Sequence, residues 1–270
     1  MKRNDLVTSV SVIIPTKNSE RTIQRCLESI TRQSHEHLEI LVVDGKSVDN
    51  TIKIAAKFDV TILTVEGERT TAKNFASKKA NGQFLLFLDS DMLLEPTVIE
   101  ECVRAIEPEN VGGVIIPEKS IGHGYWIRVR DFERSFYFGT KIESARFFRI
   151  KDVLEVGGFD EDVITYEEST VPQKIEKNGL KVDARISSFI LHDEGTFNLK
   201  NWLKKKQYYS HSAKNYIQRY RDYSKVQMTM WYRAVIFLNG GNWARLVMRP
   251  DLTLGLLILK SLEYVYSKKK

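Results

Sequence analysis

The first 120 residues alternate between short apolar runs and amphipathic segments. Residues 10–14 are apolar and β-branched, and residues 21–33 then carry apolar side chains three or four positions apart. The repeated alternation predicts strands at residues 10–14, 39–43, 60–65, 83–88 and 112–116, and helices at residues 21–33, 48–57, 70–80 and 96–106. Continuously apolar strands separated by helices predict an α/β fold, in which helices sandwich a mostly parallel sheet.

The rest of the chain follows a different pattern. Residues 121–191 are less regular, with a glycine turn at residues 157–158, a predicted helix at residues 167–178 and predicted strands at residues 181–185 and 188–191. From residue 199 the pattern becomes helical. One apolar stripe at helical spacing comprises Tyr209, Ala213, Tyr216, Ile217 and Tyr220, and further helices are predicted at residues 228–238 and 252–266. The chain therefore divides into a domain of residues 1–198 and a helical extension of residues 199–270.

Composition indicates a folded globular protein with anionic partners. The 270 residues are 42% hydrophobic and 28% charged, so most of the chain is expected to be ordered. The net charge of +6 favours nucleotides, nucleic acid or an acidic membrane surface. Basic and aromatic residues concentrate after residue 200.

The cysteines and the apolar runs bear on the cellular compartment. Cys26 and Cys102 fall in predicted helices and are too few for a disulfide framework, which indicates a reducing compartment, here the cytoplasm. The apolar run at residues 10–15 is too short for a signal-peptide core. The longest run, residues 252–259, is far below the ~20 residues that span a bilayer. We expect no segment to cross a membrane.

Ligand-capable side chains follow four of the predicted strands. In an open parallel sheet the loops at the carboxyl ends of the strands converge, and ligands bind there. The residues after the first four strands are Pro15, Thr16, Lys17 and Asn18; Asp44 and Gly45; Glu66, Gly67, Glu68 and Arg69; and Asp89, Ser90 and Asp91. Their convergence predicts a binding site at one edge of the sheet.

Asp89 and Asp91 follow a strand without any polar residue. Two carboxylates at the mouth of a buried strand repel each other unless a cation joins them. A divalent ion such as Mg²⁺ or Mn²⁺ takes oxygen ligands and keeps open positions for diphosphate oxygens. Such an ion would neutralise a departing nucleoside diphosphate. The alternative is a pair of residues at a helix N-terminus, with Asp91 facing solvent.

Asp44 ends the second predicted strand. A carboxylate at this position can accept a hydrogen bond from a nucleotide base or from a ribose hydroxyl. The alternative is a turn residue that precedes Gly45. Asp49 is predicted to cap the helix that follows.

Four ordered blocks resemble one enzyme family. Residues 10–18 (VSVIIPTKN), 44–51, 67–82 (GERTTAKNFASKKANG) and 87–91 (FLDSD) are similar to the family 2 glycosyltransferases, which are inverting enzymes of GT-A fold. The resemblance continues through residues 156–168 (VGGFDEDVITYEE) to His192, and so covers about residues 8–210. It implies a nucleotide-sugar half at about residues 8–118 and an acceptor half at about residues 119–198.

The resemblance also implies roles for individual residues. The donor nucleotide-sugar would be held by Pro15, Thr16, Asn18, Asp44, Arg69, Lys73, Asp89 and Ser90. Asp91 would be the main protein ligand of Mg²⁺ or Mn²⁺, with Asp89 facing the ribose or the metal. His192 would lie near the metal and the diphosphate, although a lone histidine is also commonly structural.

The catalytic base is expected in a carboxylate pair after the glycine turn. The family has a Glu-Asp pair, whereas this sequence has Glu167 and Glu168. Alignment on the turn puts Glu168 at the aspartate position and leaves Glu167 as the second candidate. The alternative is that both simply favour a helix N-terminus. The implied reaction is in-line displacement, in which the base takes a proton from an acceptor hydroxyl that attacks the anomeric carbon.

The basic, aromatic extension leaves two interpretations open. Its helices suit the headgroup level of an anionic membrane, and they also suit a subdomain that packs on the sheet. On an inner membrane face, the acceptor would be a lipid-linked glycan or a polyprenyl phosphate. No groove-reading or RNA-binding motif is present, so nucleic acid is not an expected partner.

Other enzyme classes fit the sequence less well. A nucleotidyltransferase would carry a glycine-rich phosphate loop after the first strand, and a Rossmann dehydrogenase would carry Gly-x-Gly-x-x-Gly there, but residues 15–18 contain no glycine. A nucleotide-sugar-binding protein of the same fold with weak catalysis stays open, because the Glu-Glu pair departs from the family pattern. We expect an enzyme that transfers sugar from a UDP- or GDP-linked donor to an acceptor hydroxyl.

Overall fold

The computed structural model describes residues 8–267, which form two compact units. The first unit comprises the chain up to Pro117, with Ser144–Glu161 and Glu168–Leu191; the second comprises Glu118–Glu143, Asp162–Glu167 and the chain from His192 onward.

The strands, in chain order, are β1 (Val10–Thr16), β2 (Leu38–Asp44), β3 (Thr61–Thr64), β4 (Phe84–Phe87), β5 (Met92–Leu94), β6 (Gly113–Ile115), β7 (Glu118–His123), β8 (Ala145–Arg149), β9 (Ala184–Arg185) and β10 (Ile190–Thr196). The α-helices are α1 (Ile23–Thr31), α2 (Thr51–Ala55), α3 (Arg69–Ser77), α4 (Val98–Ala105), α5 (Tyr125–Arg134), α6 (Ile150–Glu155), α7 (Thr170–Lys177), α8 (Leu199–Ser212), α9 (Lys214–Arg219), α10 (Arg221–Gln227), α11 (Met230–Leu238), α12 (Asn242–Met248) and α13 (Pro250–Ser267).

A seven-stranded sheet organises the first unit, in the order β3-β2-β1-β4-β8-β6-β9. β1 is parallel to both β2 and β4, β2 is parallel to β3, and β6 is parallel to β9. Only β8 runs antiparallel to its neighbours β4 and β6. The sheet is therefore mostly parallel, as the sequence predicted.

Both faces of this sheet are buried. Alternate residues of one strand enter different cores: Val12 and Ile14 pack on one face of β1, and Ile13 packs on the other. The first core includes residues of α1, α2 and α4, and the second includes residues of α3, α6 and α7. Cys26 and Cys102 are free, buried thiols of the first core, in line with their predicted helices. Burial on two faces explains the continuous apolar runs at residues 12–14 of β1, 40–43 of β2 and 84–87 of β4.

Several elements of the middle region were not predicted from the sequence. The structure has the strands β7 and β8 and the helices α5 and α6 in and just before the region whose pattern is irregular, and it has β5 between the predicted strand at residues 83–88 and the predicted helix at residues 96–106. β8 has only five residues, and two of them are Arg146 and Arg149, so it lacks a continuous apolar run. Its strand conformation comes from pairing on both sides, with β4 and with β6.

Three predicted helices differ from the structure. The helix predicted at residues 48–57 is only α2, because residues 46–50 form a loop that bonds to the loop after β1. The helix predicted at residues 167–178 begins with a 3₁₀ turn, Glu167–Ser169, before α7. The predicted stripe over residues 209–220 is wrong as a single face, because α8 ends at Ser212, and Ile217 is 43% exposed whereas Tyr216 is fully buried.

The second unit combines the neighbouring strands β7 and β10 with α5 and the C-terminal helices. Its apolar core joins Phe136 near α5, Ile236 of α11, and Leu252, Leu256 and Leu259 of α13. Within residues 8–267, no helix is both long enough and apolar enough to cross a bilayer.

A buried carboxylate lies beside this core. The Glu133 side chain is 2% exposed; its Oε1 is 2.5 Å from Lys260 Nζ and 3.7 Å from Arg233 Nη1, and its Oε2 is 3.0 Å from Arg130 Nη1. Burial alone would raise the pKa of Glu133, but Lys260, Arg130 and Arg233 outweigh burial and hold that pKa well below its ordinary value. One carboxylate thus links α5, α11 and α13.

We expect Glu133→Gln to lower the free energy of unfolding by about 3–5 kcal/mol, because three buried cations would lose their shared anion. Urea denaturation at neutral pH measures this loss. Since the pKa is depressed in the folded state, the contribution is full above about pH 4.5, the ordinary glutamate value, and disappears as pH falls through the folded pKa. The exposed Glu36→Gln is the matched control, and an equal, small effect of both substitutions would contradict the prediction.

Candidate active site

The loops after β1 and β2 hold each other by hydrogen bonds. Asn18 N donates to Ser47 Oγ at 2.8 Å, and Val48 N donates to Asn18 Oδ1 at 2.9 Å. Ser19 N donates to Thr51 Oγ1 at 2.7 Å. Asn18 has φ of 52°, a left-handed conformation that asparagine tolerates well. This predicted site residue thus shapes the edge of the sheet through both its backbone and its side chain.

Asp44 lies at the end of β2 and is 5% exposed. Its carboxylate accepts a hydrogen bond from Ser47 Oγ at 2.6 Å and contacts Ser47 N at 3.1 and 3.2 Å. Asp44 therefore stabilises the turn after β2, which is one of the two roles considered for it. A carboxylate has about four acceptor sites, so these bonds leave capacity for a nucleotide N–H or hydroxyl.

Pro15 and Thr16 end β1, opposite Val43 and Asp44 of β2. Thr16 is 6% exposed, and its backbone oxygen accepts a 2.8 Å hydrogen bond from Gly45 N. Among the described residues, Thr16 Oγ1 is one of the few buried side-chain oxygens with no hydrogen-bond partner. A buried hydroxyl in this state costs free energy until a partner arrives, which is consistent with a ligand-facing role.

Asp89, Ser90 and Asp91 form the turn between β4 and β5. Met92 N donates to Asp89 O at 3.0 Å and closes this turn, while Ser90 Oγ lies 2.8 Å from Ser19 Oγ of the loop after β1. All three residues of the turn are half-buried. The aspartates therefore project from a turn that is fixed at both ends and bonded to the neighbouring strand's loop.

The two aspartates share a buried neighbour. Burial raises the pKa of the Cys26 thiol, and the charges of Asp91 and Asp89 raise it further. The Cys26 thiol also donates to Asp89 O at 3.8 Å. Both carboxylates therefore lie close enough to this thiol of α1 to act on its charge.

Arg146 of β8 is a residue that the sequence analysis missed. Its Nη1 lies 3.6 Å from Asp89 Oδ2, and the side chain is 13% exposed. Antiparallel pairing of Leu86 with Phe147 brings Arg146 to the end of β4. No signal in the local pattern marks this residue, because its place depends on a strand pairing between Leu86 and Phe147, which are 61 positions apart.

The two basic residues predicted to bind the donor, Arg69 and Lys73, both lie on α3 but differ in solvent exposure. Arg69 is exposed at the first turn. Lys73 is 2% exposed, and its Nζ lies 5.1 Å from the centroid of the Phe159 ring. Lys73 thus has an aromatic face as one neighbour, a contact that suits a cation.

The same helix holds the glycine turn that precedes the predicted base. Asn74 Oδ1 accepts from Phe159 N at 2.7 Å, and Asn74 Nδ2 donates to Phe159 O at 2.9 Å. Gly158 has φ of +71°, and a Cβ there would lie 2.3 Å from Asn74 Oδ1. Lys174 of α7 donates to Gly158 O at 2.7 Å. The turn is therefore fixed between α3 and α7.

The two candidate bases lie in the 3₁₀ turn before α7. Glu168 belongs to the first unit and is half-buried, and its backbone oxygen accepts a 2.9 Å hydrogen bond from Ser144 Oγ. Glu167 belongs to the second unit and is 4% exposed. The greater exposure favours Glu168 as the carboxylate that an acceptor hydroxyl can approach.

His192 also belongs to the second unit. Its Nδ1 lies 2.8 Å from Arg134 Nη2 and 4.0 Å from a carboxylate oxygen of Glu118. Arginine can only donate, so Nδ1 is the acceptor in this contact. The contact with Arg134 does not use Nε2.

A site for Mg²⁺ or Mn²⁺ requires oxygen ligands, which the aspartates of the turn after β4 can provide. Within residues 8–267, no three His, Cys, Asp or Glu side chains gather into a complete metal site. Mg²⁺ in nucleotide sites takes only one or two carboxylates, and the phosphates of the substrate complete the coordination. The pair Asp89 and Asp91 fits that donor set.

Comparison with known sequences identifies the family. The sequence model described as "Glycosyl transferase family 2" matches residues 11–156. The chain belongs to this family.

Curated relatives of this family 2 chain are glycosyltransferases of bacteria. The Escherichia coli UDP-Glc:alpha-D-GlcNAc-diphosphoundecaprenol beta-1,3-glucosyltransferase WfgD is 39% identical over 107 residues, which cover 38% of this chain and 42% of that protein. Glycosyltransferase GlyG of Streptococcus pneumoniae is 27% identical over 136 residues, which cover 48% of this chain and 42% of that protein. The matches thus span less than half the length of these relatives.

Solved structures confirm the GT-A fold. The mannosyltransferase PcManGT from Pyrobaculum calidifontis, in complex with GDP-Man and Mn²⁺, has a TM-score of 0.65 and 18% identity, and covers 96% of this chain and 86% of its own. Residues 1–349 of Staphylococcus aureus TarS, in complex with UDP-GlcNAc, have a TM-score of 0.58 and 18% identity, and cover 93% of this chain and 80% of their own. The family and fold that the sequence blocks predicted are both confirmed.

In this family 2 protein, Gly158 and Gly157 offer a matched test of the glycine turn. Both have positive φ, but a Cβ at Gly157 meets nothing within 4 Å. We expect Gly157→Ala to cost about 1–2 kcal/mol of unfolding free energy, the price of a left-handed alanine. Gly158→Ala should cost at least about 1 kcal/mol more, because Asn74 must move and weaken its two bonds to Phe159. Urea denaturation measures both, and equal losses would show that the Asn74 contact contributes nothing.

Proposed function

We propose that this protein is an inverting glycosyltransferase that moves a sugar from a UDP- or GDP-sugar to an acceptor hydroxyl. The observation that carries the proposal is the Asp89–Asp91 turn at the carboxyl end of β4. The loops after the parallel strands β1 and β2 lie at the same edge of the sheet, and Asp44 ends β2. Family membership gives the reaction class its support.

The donor would lie across the loops after β1, β2 and β4. Pro15, Thr16 and Asp44 would bind the nucleoside, with the buried Thr16 hydroxyl and the Asp44 carboxylate as polar contacts. Asn18 and Ser90 would fix the loops that surround it, through their bonds to Ser47 and Ser19.

The diphosphate would lie near Asp91, with Arg146, Arg69 and Lys73 as neighbouring positive charges. Mg²⁺ or Mn²⁺, held by Asp91 and Asp89, would supply further positive charge against the diphosphate when bound. Arg146 neutralises Asp89 at 3.6 Å, which would leave Asp91 as the principal carboxylate for the ion. His192 would lie near the metal and the diphosphate, with Nε2 as its candidate metal ligand.

Glu168 would act as the general base. Its carboxylate takes the proton of the acceptor hydroxyl while the acceptor oxygen forms a bond to the anomeric carbon. The bond from that carbon to the diphosphate oxygen breaks, and its electron pair leaves with the nucleoside diphosphate. Attack from the opposite face inverts the anomeric configuration. Glu167 is the second candidate for this role.

The names of the relatives support a nucleotide-sugar donor without choosing the base. WfgD is named for UDP-Glc, TarS was solved with UDP-GlcNAc and PcManGT with GDP-Man. WfgD acts on a diphosphoundecaprenol-linked sugar, and TarS is named for poly(ribitol-phosphate). These names favour a lipid-linked or polymeric glycan acceptor for this chain too.

We expect release of nucleoside diphosphate from one of UDP-glucose, UDP-GlcNAc or GDP-mannose in the presence of Mn²⁺. Asp91→Asn and Glu168→Gln should each lower kcat by ~100-fold or more, because each removes a charge on which the transition state depends. Asp91→Asn should also abolish the Mn²⁺-dependent rise in Tm with UDP or GDP, whereas Glu168→Gln should keep it.

The exposed Asp59→Asn is the control and should behave as wild type. If Glu167→Gln is the inactive variant and Glu168→Gln is active, the base is reassigned. A wild-type protein that binds nucleotide and transfers no sugar to any offered acceptor would instead be a nucleotide-sugar-binding protein, the alternative that the Glu-Glu pair leaves open.

The C-terminal helices would bring the enzyme to the inner face of an anionic membrane, from the cytoplasm. Residues 199–270 contain fifteen Lys and Arg against three Asp and Glu. Large apolar side chains are exposed on α11, α12 and α13: Trp231 (77%), Trp243 (57%), Val247, Met248 (72%), Leu254 and Leu257. Exposed tryptophan and aliphatic groups in a strongly basic region suit the interface of an anionic bilayer.

The variant Trp231→Ser/Trp243→Ser/Leu257→Ser should lose most of its flotation with vesicles of 30% phosphatidylserine, because apolar burial is the main source of such binding. Leu154→Ser, on α6 of the first unit and 45% exposed, should float as wild type. Equal flotation of the two variants would contradict a membrane role. If the wild-type protein dimerises with rising concentration and only the triple variant does not, the exposed apolar surface binds a second copy of the protein.

A further inference from the structure

Segment 162–167 leads directly into Glu168. It belongs to the second unit, where it contacts residues of α8, α9, α10 and α11. The segment has no regular secondary structure before the 3₁₀ turn at Glu167–Ser169. Its conformation therefore depends on contacts made with the C-terminal helices.

The first residue of the segment is held by α9. Asp162 forms a bidentate ion pair with Arg219, at 2.9 and 2.8 Å, and its backbone oxygen accepts a 2.9 Å hydrogen bond from Asn215 Nδ2. Bidentate geometry fixes orientation as well as distance. Val163 next to it is fully buried against Tyr216 and Tyr220.

The middle of the segment is held by α8. Thr165 Oγ1 donates to Tyr209 O at 2.9 Å and lies 2.5 Å from Ser212 Oγ. Thr165 is 8% exposed, so these bonds replace contacts with water. They fix the residue immediately before Tyr166.

Tyr166 has a backbone conformation that its side-chain contacts must support. Its φ is +61°, a left-handed value that is rare for an aromatic residue. The ring stacks on Tyr216 at 5.3 Å between centroids, with 22° between the planes. Its hydroxyl lies 3.3 Å from Arg233 Nη2 and 3.5 Å from Gln227 O. A strained conformation persists only where the surrounding structure determines it in this way.

We propose that the C-terminal helices position the catalytic base, with Tyr166 as the main positioning residue. The proposal rests on the proposed function, in which Glu168 or Glu167 removes the proton of the acceptor. If the contacts of Tyr166 are lost, its φ can return to the common negative range, and the following two residues change direction. A shift of about 1 Å in a catalytic group can cost up to ~100-fold in rate. Helix α11, which carries the exposed Trp231, would thus also help to position the base through Arg233.

The experiment compares three variants of the full chain. Tyr166→Phe keeps the stacked ring and loses the hydroxyl, whereas Tyr166→Asn loses both contacts. Asparagine tolerates both signs of φ, so the variant folds without added strain and no contact then fixes φ at its positive value. Tyr208→Phe removes a phenol hydroxyl from an exposed ring of α8 and is the matched control. The readouts are kcat and KM for nucleoside diphosphate release from the donor that wild type uses, Tm, and hydrogen exchange of the amides of residues 164–169.

We expect Tyr166→Asn to lower kcat by ~10–100-fold, with KM for the donor within about twofold of wild type. Tyr166→Phe should lie between Tyr166→Asn and wild type. Amide exchange at residues 164–169 should accelerate in Tyr166→Asn alone, and the Tyr208→Phe control should match wild type in every readout.

Three results would overturn the proposal. One is a Tyr166→Asn enzyme with wild-type kcat. Another is a loss of rate that only follows a lower fraction of folded protein, as the Tm reports. The third is unchanged amide exchange over residues 164–169. A wild-type protein that releases nucleotide from no donor would instead refute the proposed function, and the positioning role would fall with it, even if amide exchange responded as expected.

Discussion

Parallel pairing of β1 with β2 and β4 is the constraint on which the candidate site depends. Because the three strands run in one direction, their carboxyl ends reach the same edge of the sheet, and each delivers its next residues there. Asp44 and the Asp89–Asp91 turn lie at the same edge of the sheet for this reason, at the ends of the two strands that pair with β1. Both faces of the strands are buried, so a one-residue slip in register would exchange the side chains of the two packed cores.

The edge of the sheet is stabilised by the residues that would bind the donor. Asn18 joins two loops, Asp44 accepts bonds from Ser47, and Ser90 contacts Ser19. Arg146 supplies a positive charge beside Asp89, where two carboxylates would otherwise repel each other. The loops are therefore held in place before any ligand arrives, and this reduces the ordering that binding would require.

Some of the basic residues of the C-terminal helices are buried in ion pairs and do not face solvent. Lys260 and Arg233 both pair with Glu133 of α5, which also pairs with Arg130. Burial also lowers the pKa of Lys206 to about 8, because a fully charged lysine is costly there. A basic composition in this region thus has two physical roles, internal ion pairing and surface charge, and only the second can attract an anionic partner.

The sequence by itself determined the family, the mostly parallel sheet and the residues at the strand ends, because continuous apolar runs and the residues that follow them are local properties of the chain. Predicted and observed strands β1 to β4 agree to within two residues at each end for this reason. Tertiary structure alone decided the rest. Arg146 reaches Asp89 through strand pairing, Tyr166 is held in a left-handed conformation by α9 to α11, and Ile217 is exposed because a helix ends at Ser212. Each depends on contacts between residues far apart in sequence, and no local pattern encodes such contacts.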